Sequence, residues 1–276
     1  MSKFRRLGEL ILAALTWISA ALTIGVLLYL VGFIFVRGVP YLKPSLFALQ
    51  YNSDNVSLMP ALISTVFLTA LTLLICVPVG IFAAIYLVEY AKRGSKLVAL
   101  VRLTAETLSG VPSIVYGLFG LLFFVTYLGW GFSLLAGGFT LAIMILPLIM
   151  RSCEEALMAV PDSYREGAFG LGAGKLRTVF RIVLPSAAPG ILAGMILAIG
   201  RIVGETAALI YTAGTVAQIP TSPTQSVRSL SVHMYALSSE GFHMGEGYAT
   251  AVVLLVVVVA INALSASVAK KIGGAG

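Results

Sequence analysis

Long apolar stretches alternate with short polar ones along most of this 276-residue chain. Six apolar segments are long enough to cross a bilayer, whose hydrocarbon core requires about 20 helical residues. We place these segments at 10–36, 59–88, 105–128, 132–150, 186–212 and 248–268. The third and fourth form one nearly uncharged stretch, which a turn at residues 128–131 must divide. The pattern therefore predicts an all-α integral membrane protein with six transmembrane helices.

The composition agrees with this prediction. Hydrophobic residues make up 59% of the chain and charged residues 11%, whereas soluble domains contain about 25% charged residues. The first segment follows basic residues as a signal peptide would, but it is too long and lacks a small-residue cleavage site, which favours a retained helix. Cys76 and Cys153 lie far apart in the sequence, and we expect two ordinary thiols without a disulfide or a bound metal.

The basic residues indicate the orientation, because Lys and Arg are enriched in cytoplasmic loops. With a cytoplasmic N-terminus, only three basic residues fall outside, namely Arg37, Lys43 and Arg228. The cytoplasmic set is Lys3, Arg5, Arg6, Lys92, Arg93, Lys96, Arg102, Arg151, Arg165, Lys175, Arg177, Arg181, Lys270 and Lys271. Six spans then place the C-terminus inside as well. The net charge of +7 is thus a topology signal, and no nucleic-acid partner is expected.

The longest external segment covers residues 213–247. Within it Val227, Leu230, Met234 and Leu237 recur at helical spacing, which predicts a short helix lying in the membrane interface. His233 and His243 lack the spacing of metal ligands, so we expect solvated or interfacial side chains.

Residues 151–185 form a polar loop that is far longer than a connection between two spans requires. We expect Asp162 and Ser163 to cap a helix that begins at Tyr164. Glycines then interrupt this helix, and a second helix runs from Lys175 into the fifth span at Pro185. Residues 170–175 lack both the first glycine and the Ser or Thr of a phosphate-binding loop, so no ATPase site is expected in this chain. The loop instead predicts a docking surface for a soluble partner.

The spacing in this loop resembles the Glu-Ala-Ala loop of importer permeases in the ATP-binding-cassette (ABC) family. Six residues match, and Gly167 departs from the pattern at its second position, where the pattern has the first Ala. The matching residues are Glu166, Ala168, Gly172, Ile182, Leu184 and Pro185. The resemblance implies that residues 151–185, hereafter the coupling loop, seat a coupling helix in a cytoplasmic ATPase.

Two charged residues, Arg201 and Glu205, fall within the predicted fifth span. A charge near the bilayer centre costs roughly 2.5–3.5 kcal/mol, and its default interpretation is functional. On a continuous helix both would share one stripe with small residues such as Gly190, Gly194 and Ala198. Since a guanidinium donates two parallel hydrogen bonds to phosphate-like anions, our hypothesis is that Arg201 contacts a translocating anion and Glu205 tunes its binding. The alternative is an internal ion pair that only neutralises itself.

With these residues, the chain from about residue 57 onward resembles the permeases of phosphate importers. The resemblance is carried by residues 106–117, by the coupling loop and by residues 200–207. It implies a type I ABC importer permease (MetI-like) fold, with domains 1–56 (first helix and external loop), 57–268 (permease domain) and 269–276 (cytoplasmic tail). It further implies an A-type subunit in a bacterial inner membrane without catalysis or cofactor of its own, paired with a C-type permease, two ATPase subunits and an external phosphate-binding protein.

Three alternatives stay open at this point. The chain could be the C-type phosphate permease, or a permease for another oxyanion such as sulfate or molybdate. A self-sufficient secondary transporter or channel belongs to a different class, and it predicts internal repeats and broken helices in both halves, which the sequence does not display. An intramembrane enzyme ranks last, because no nucleophile–base pair or metal motif is found.

Overall fold

The structure is a computed structural model that describes residues 3–92 and 94–273. This part of the chain folds into helices, in the order α1 (Lys3–Gly38), α2 (Met59–Ile85), α3 (Lys96–Ser109), α4 (Ser113–Gly120), α5 (Leu134–Met158), α6 (Asp162–Gly170), α7 (Lys175–Thr178), α8 (Leu184–Val203), α9 (Ala207–Ile210), α10 (Leu230–Glu240) and α11 (Met244–Gly273). Arg93 of the basic set and residues 274–276 of the predicted tail lie outside the described residues. Residues 269–273 continue α11.

Five helical stretches are long and apolar enough to span a membrane, and α3 with α4 makes a sixth span if the two count as one. The five are Gly8–Tyr41, Met59–Tyr90, Leu134–Met158, Lys175–Gly204 and Met244–Leu264. The prediction of a continuous third span at 105–128 is wrong, because α3 and α4 meet at an angle of 99°. Pro112 lies at this bend, where it lacks an N–H and keeps Val111 out of the helical conformation.

The turn predicted at residues 128–131 is confirmed. Helical backbone continues from α4 through Tyr127, and Gly129 and Gly131 then adopt left-handed conformations with φ of +67° and +63°. Glycine tolerates this region because it has no Cβ. The next helix, α5, begins at Leu134, where the Ser133 hydroxyl accepts a hydrogen bond from the Ala136 N–H at 3.1 Å.

The core lies around α5, which packs between α2 and α8. Small residues mark both crossings. A side chain at Gly80 of α2 would overlap Ile149 of α5, and one at Gly194 of α8 would overlap Ser152. Such residues let transmembrane backbones approach closely. The face of α5 between them is fully buried, including Leu141 and Ile145, so α5 is the fixed centre of the described bundle.

The external segment contains the predicted short helix, which the structure places at α10. Its Leu230 and Leu237 are buried against Leu46 and Leu58. The expectation of a solvated or interfacial His233 is wrong, because this side chain is completely buried. Cys76 and Cys153 are free, buried thiols, as expected.

Candidate functional site

The fifth span is broken at its far end, close to the two charges singled out in the sequence. The helix α8 ends at Val203, residues 204–206 are not helical, and the short α9 follows. The prediction of one continuous helix over 186–212 is therefore wrong. The reason lies in local hydrogen bonds, since Glu205 Oε1 accepts from the Ala208 N–H at 3.1 Å and so starts a new helix in the way that capping side chains do.

Because of this break, Arg201 and Glu205 occupy different environments. Arg201 is exposed on α8, whereas Glu205 is only 9% exposed. Among the residues that the structure describes, the two form no ion pair. The alternative of a self-neutralising pair is thus not observed, and Arg201 has no salt-bridge partner in the part of the chain that the structure describes.

The predicted stripe of charges and small residues also divides in two. Gly194 and Ala198 face the bundle, where Gly194 touches α5 and Ala198 is fully buried. Arg201 lies instead on an exposed face of α8, which it shares with Leu197 and Gly204. This face is open within the described part of the chain and is available to a solute or to another subunit.

Neighbouring helices hold the break in place. The Ser231 hydroxyl of α10 donates to the Glu205 carbonyl at 2.6 Å, and a side chain at Gly117 of α4 would overlap Ala208 of α9. Tyr116, beside Gly117, donates from its hydroxyl to the Leu108 carbonyl at 2.8 Å. The bend between α3 and α4 therefore faces the break after α8.

In the coupling loop, the predicted glycine turn has a clear geometric basis. The helix α6 ends in a Schellman motif, in which Gly172 N–H donates to Phe169 O at 2.9 Å and Ala173 N–H donates to Ala168 O at 3.0 Å. This motif requires a left-handed residue after the helix, and Gly172 has φ of +82°. Glu166 and Gly167 are exposed on α6, whereas Ala168 is buried.

The second half of the coupling loop also follows the prediction. The helix α7 starts at Lys175 and continues through a π-type turn, Val179–Val183, directly into α8. Ile182 lies in this turn, and Leu184 and Pro185 open α8. Two details differ from expectation, because residues 151–158 still belong to α5 and α6 already starts at Asp162 without a side-chain cap.

The sequence analysis missed the apolar character of this loop. In the part of the loop that follows α5, five large apolar or aromatic side chains are exposed, of which Leu171 is the most exposed at 92%. The five are Tyr164, Phe169, Leu171, Leu176 and Phe180. Clusters of this kind on an otherwise polar surface mark sites of protein interaction. Apolar residues flanking the Gly172 turn were the signal that could have revealed them.

It also missed the ion pairs that fasten neighbouring elements to this loop. Arg165 pairs with Glu89, and Arg102 of α3 pairs with Glu154 of α5. Both carboxylates are buried. Sequence separations of 76 and 52 residues leave no periodic signal from which these pairs could have been predicted.

A family of known transport proteins matches this arrangement. The model for the binding-protein-dependent transport system inner membrane component covers residues 76–273, from the middle of α2 to the end of α11. The chain belongs to this family. It is therefore a membrane subunit of a binding-protein-dependent transport system.

Curated relatives resemble most of the chain. A probable ABC transporter permease, YqgI of Bacillus subtilis, is 32% identical over 86% of this chain and 85% of its own length. The phosphate transport permease PstA of Haemophilus influenzae is 30% identical over 87% and 85%. PstA 1 of Mycobacterium tuberculosis is 35% identical over 75% of this chain and 69% of that protein.

Solved structures confirm the fold class. The inward-facing MetNI methionine ABC transporter aligns with a TM-score of 0.60 at 20% identity, covering 77% of this chain and 93% of that one. A bacterial alginate ABC transporter aligns with a TM-score of 0.66 at 17% identity, over 98% and 96%. The predicted type I (MetI-like) importer permease fold is thus confirmed.

One argument against a secondary transporter needs revision. We expected no broken helices, yet the helical backbone is interrupted at residues 110–112 and at residues 204–206. Broken helices near charged groups also occur in secondary transporters, so helix continuity does not separate the two classes. Family membership separates them, and the coupling loop agrees with it.

Proposed function

We propose that this chain is the A-type permease subunit of an ATP-driven phosphate importer. Named PstA relatives that align with most of the chain support this assignment. The observation that carries it in the structure is Arg201, an exposed arginine on a membrane-spanning helix without a carboxylate partner among the described residues. A guanidinium recognises a tetrahedral oxyanion by two parallel hydrogen bonds.

In this proposal Arg201 contacts phosphate as it passes along the open face of α8. Glu205 belongs to the same pathway because it lies at the break in the helix, beside Arg201. Its carboxylate starts α9, and its carbonyl is held by α10, so it maintains the break beside Arg201. A single unpaired arginine attracts an anion without enclosing it, which allows the anion to leave again.

The chain forms half of the pathway and pairs with a C-type permease, while two ATPase subunits bind the coupling loop and hydrolyse ATP. An external binding protein delivers phosphate on the side of the membrane where α10 lies. Both termini lie in the cytoplasm in this arrangement. The contacts of Glu89 with Arg165 and of Lys175 with Tyr90 support one shared side for the basic segment after α2 and the basic coupling loop.

The substrate is tested with the reconstituted complex of both permeases and the ATPase subunits. Binding protein loaded with phosphate should stimulate ATP hydrolysis, whereas sulfate or molybdate should not. Stimulation by sulfate or molybdate in place of phosphate would transfer the assignment to another oxyanion. Phosphate accumulation by liposomes that contain only this chain would instead establish a self-sufficient transporter and refute the proposal.

A further inference from the structure

Both halves of the coupling loop reach the same turn at the end of α2. This turn, Tyr86–Tyr90, has π-type geometry. From the first half, Arg165 donates from Nε and Nη2 to Glu89 Oε1, at 3.0 and 2.7 Å. From the second half, the Lys175 ammonium lies 4.9 Å from the centroid of the Tyr90 ring. The loop is therefore attached to α2 on both sides of the Gly172 turn.

Arg165 also binds the end of α5. Its Nη1 donates to the Val160 carbonyl at 2.8 Å, and its Nη2 donates to the Leu157 carbonyl at 3.0 Å. Asp162 adds a weaker contact at 3.3 Å. A single guanidinium thus joins α2, α5 and α6, which requires the planar, multi-donor geometry of arginine. Lysine could keep the charge but could not make these bonds together.

The Arg165–Glu89 pair is shielded from water, with side-chain exposures of 14% and 8%. Apolar residues of similar size would often stabilise such a site at least as well, so a buried pair is weak evidence for stability alone. A docking surface for another subunit would need only the exposed face of α6, which includes Glu166 and Phe169. The polar link to α2 therefore calls for another explanation.

We propose that Arg165 is a positioning residue that fastens the coupling loop to the cytoplasmic end of α2, so that the loop and this end of α2 move as one body. The inference rests on the proposed function where it assumes that a partner ATPase pushes the loop. Since α2 packs along α5 in the centre of the bundle, a displacement of α6 then reaches the core directly, besides travelling through α7 into α8.

The first test measures the attachment itself in the purified chain. Spin labels at Leu171→Cys and Tyr86→Cys, both exposed positions, report the distance between the loop and the turn, while the native cysteines are buried. The wild-type background should give a narrow distance distribution, and Arg165→Gln and Glu89→Gln should broaden it. Arg177→Gln, an exposed loop arginine, is the matched control and should leave it narrow. An unchanged distribution in Arg165→Gln would overturn the proposal.

The second test measures transmission in the reconstituted complex. Arg165→Gln should keep the ATPase subunits bound and hydrolysing, whereas phosphate uptake per ATP should fall by about tenfold, in the range by which coupling variants act. Lys96→Gln, at an exposed basic residue of α3 outside the coupling loop, should match wild type. Unchanged uptake per ATP, or loss of the ATPase subunit in proportion to uptake, would contradict the inference. If the wild-type complex does not respond to phosphate at all, the proposed function fails, and the distance measurement still decides whether the attachment exists.

Discussion

Arg165 in the coupling loop and Arg201 at the broken end of α8 have opposite surroundings. Arg165 is 14% exposed and bonds to Glu89, Asp162 and two backbone carbonyls. Arg201 is exposed and, among the described residues, has neither an ion pair nor a side-chain hydrogen bond. An arginine whose donors are all used holds a structure together, whereas one whose donors are free can bind a ligand.

The largest effect that follows from this difference is expected at Arg201. Replacement by Gln should reduce phosphate uptake by roughly 100-fold, because charge-assisted hydrogen bonds to the anion are lost. Arg201→Lys should retain part of the activity, since it keeps the charge but loses the planar guanidinium that donates two parallel hydrogen bonds. Uptake into proteoliposomes containing the whole complex measures both variants.

The control for this experiment is Lys96→Gln, which removes an exposed positive charge at the start of α3 and should leave uptake near wild type. Co-purification of the ATPase subunit shows that each complex is assembled. Normal uptake by an assembled Arg201→Gln complex would show that Arg201 does not bind the anion. The proposed functional difference between Arg201 and Arg165 would then be wrong.

Sequence patterns predicted the coupling loop far better than the broken helix. The match from Glu166 to Pro185 reports local geometry, because a left-handed turn at Gly172 and a helix start near Pro185 depend on neighbouring residues. The break at Glu205 depends also on Ser231 of α10, and the Glu89–Arg165 pair joins distant segments. Hydropathy predicts the number of spans because it is averaged over many residues. For the same reason it does not reveal the single hydrogen bonds that bend or end a helix.

A second prediction concerns Arg228, which resembles Arg165 because its guanidinium makes several contacts. It donates to the Thr215 carbonyl at 2.6 Å and lies over the Tyr51 ring and 3.4 Å from His233 Nδ1. Burial, and secondly the Arg228 charge, lowers the pKa of His233 from 6.5 to about 4. The unfolded chain therefore takes up this proton first as the pH falls.

Stability should consequently be constant above about pH 6.5 and decrease between pH 6.5 and 4, by on the order of 3 kcal/mol from this group. Thermal unfolding followed by the loss of helical circular dichroism measures it. His233→Gln should flatten the pH dependence, whatever its effect on the melting temperature itself. His243→Gln, at a more exposed histidine, should keep the slope of wild type. An unaltered slope in His233→Gln would show that other groups are responsible.

A third and smaller effect is expected at the glycine turn that sets the shape of the coupling loop. Gly172→Ala places a Cβ on a residue with φ of +82°, which costs about 1–2 kcal/mol. The end of α6 should loosen, and the amount of ATPase subunit that co-purifies should decrease. Gly174→Ala is the matched control, because φ there is −72° and no atom lies within 4 Å of the added carbon. Equal retention of the ATPase by both variants would show that the turn does not shape the docking surface.

The smallest effect separates the two roles considered for Glu205, which neighbours Arg201 in sequence but is bonded to the start of α9. If the carboxylate acts through its hydrogen bond to the Ala208 N–H, Glu205→Gln keeps an acceptor oxygen and should retain near-normal uptake. Glu205→Ala leaves the amide unpaired and should lower stability by about 1 kcal/mol, with a parallel loss of uptake. If the charge instead tunes the anion beside Arg201, Glu205→Gln alone would change the KM for phosphate. Glu240→Gln, at an exposed carboxylate of α10, controls for a general change in charge. A KM shift confined to Glu205→Gln would favour tuning over capping.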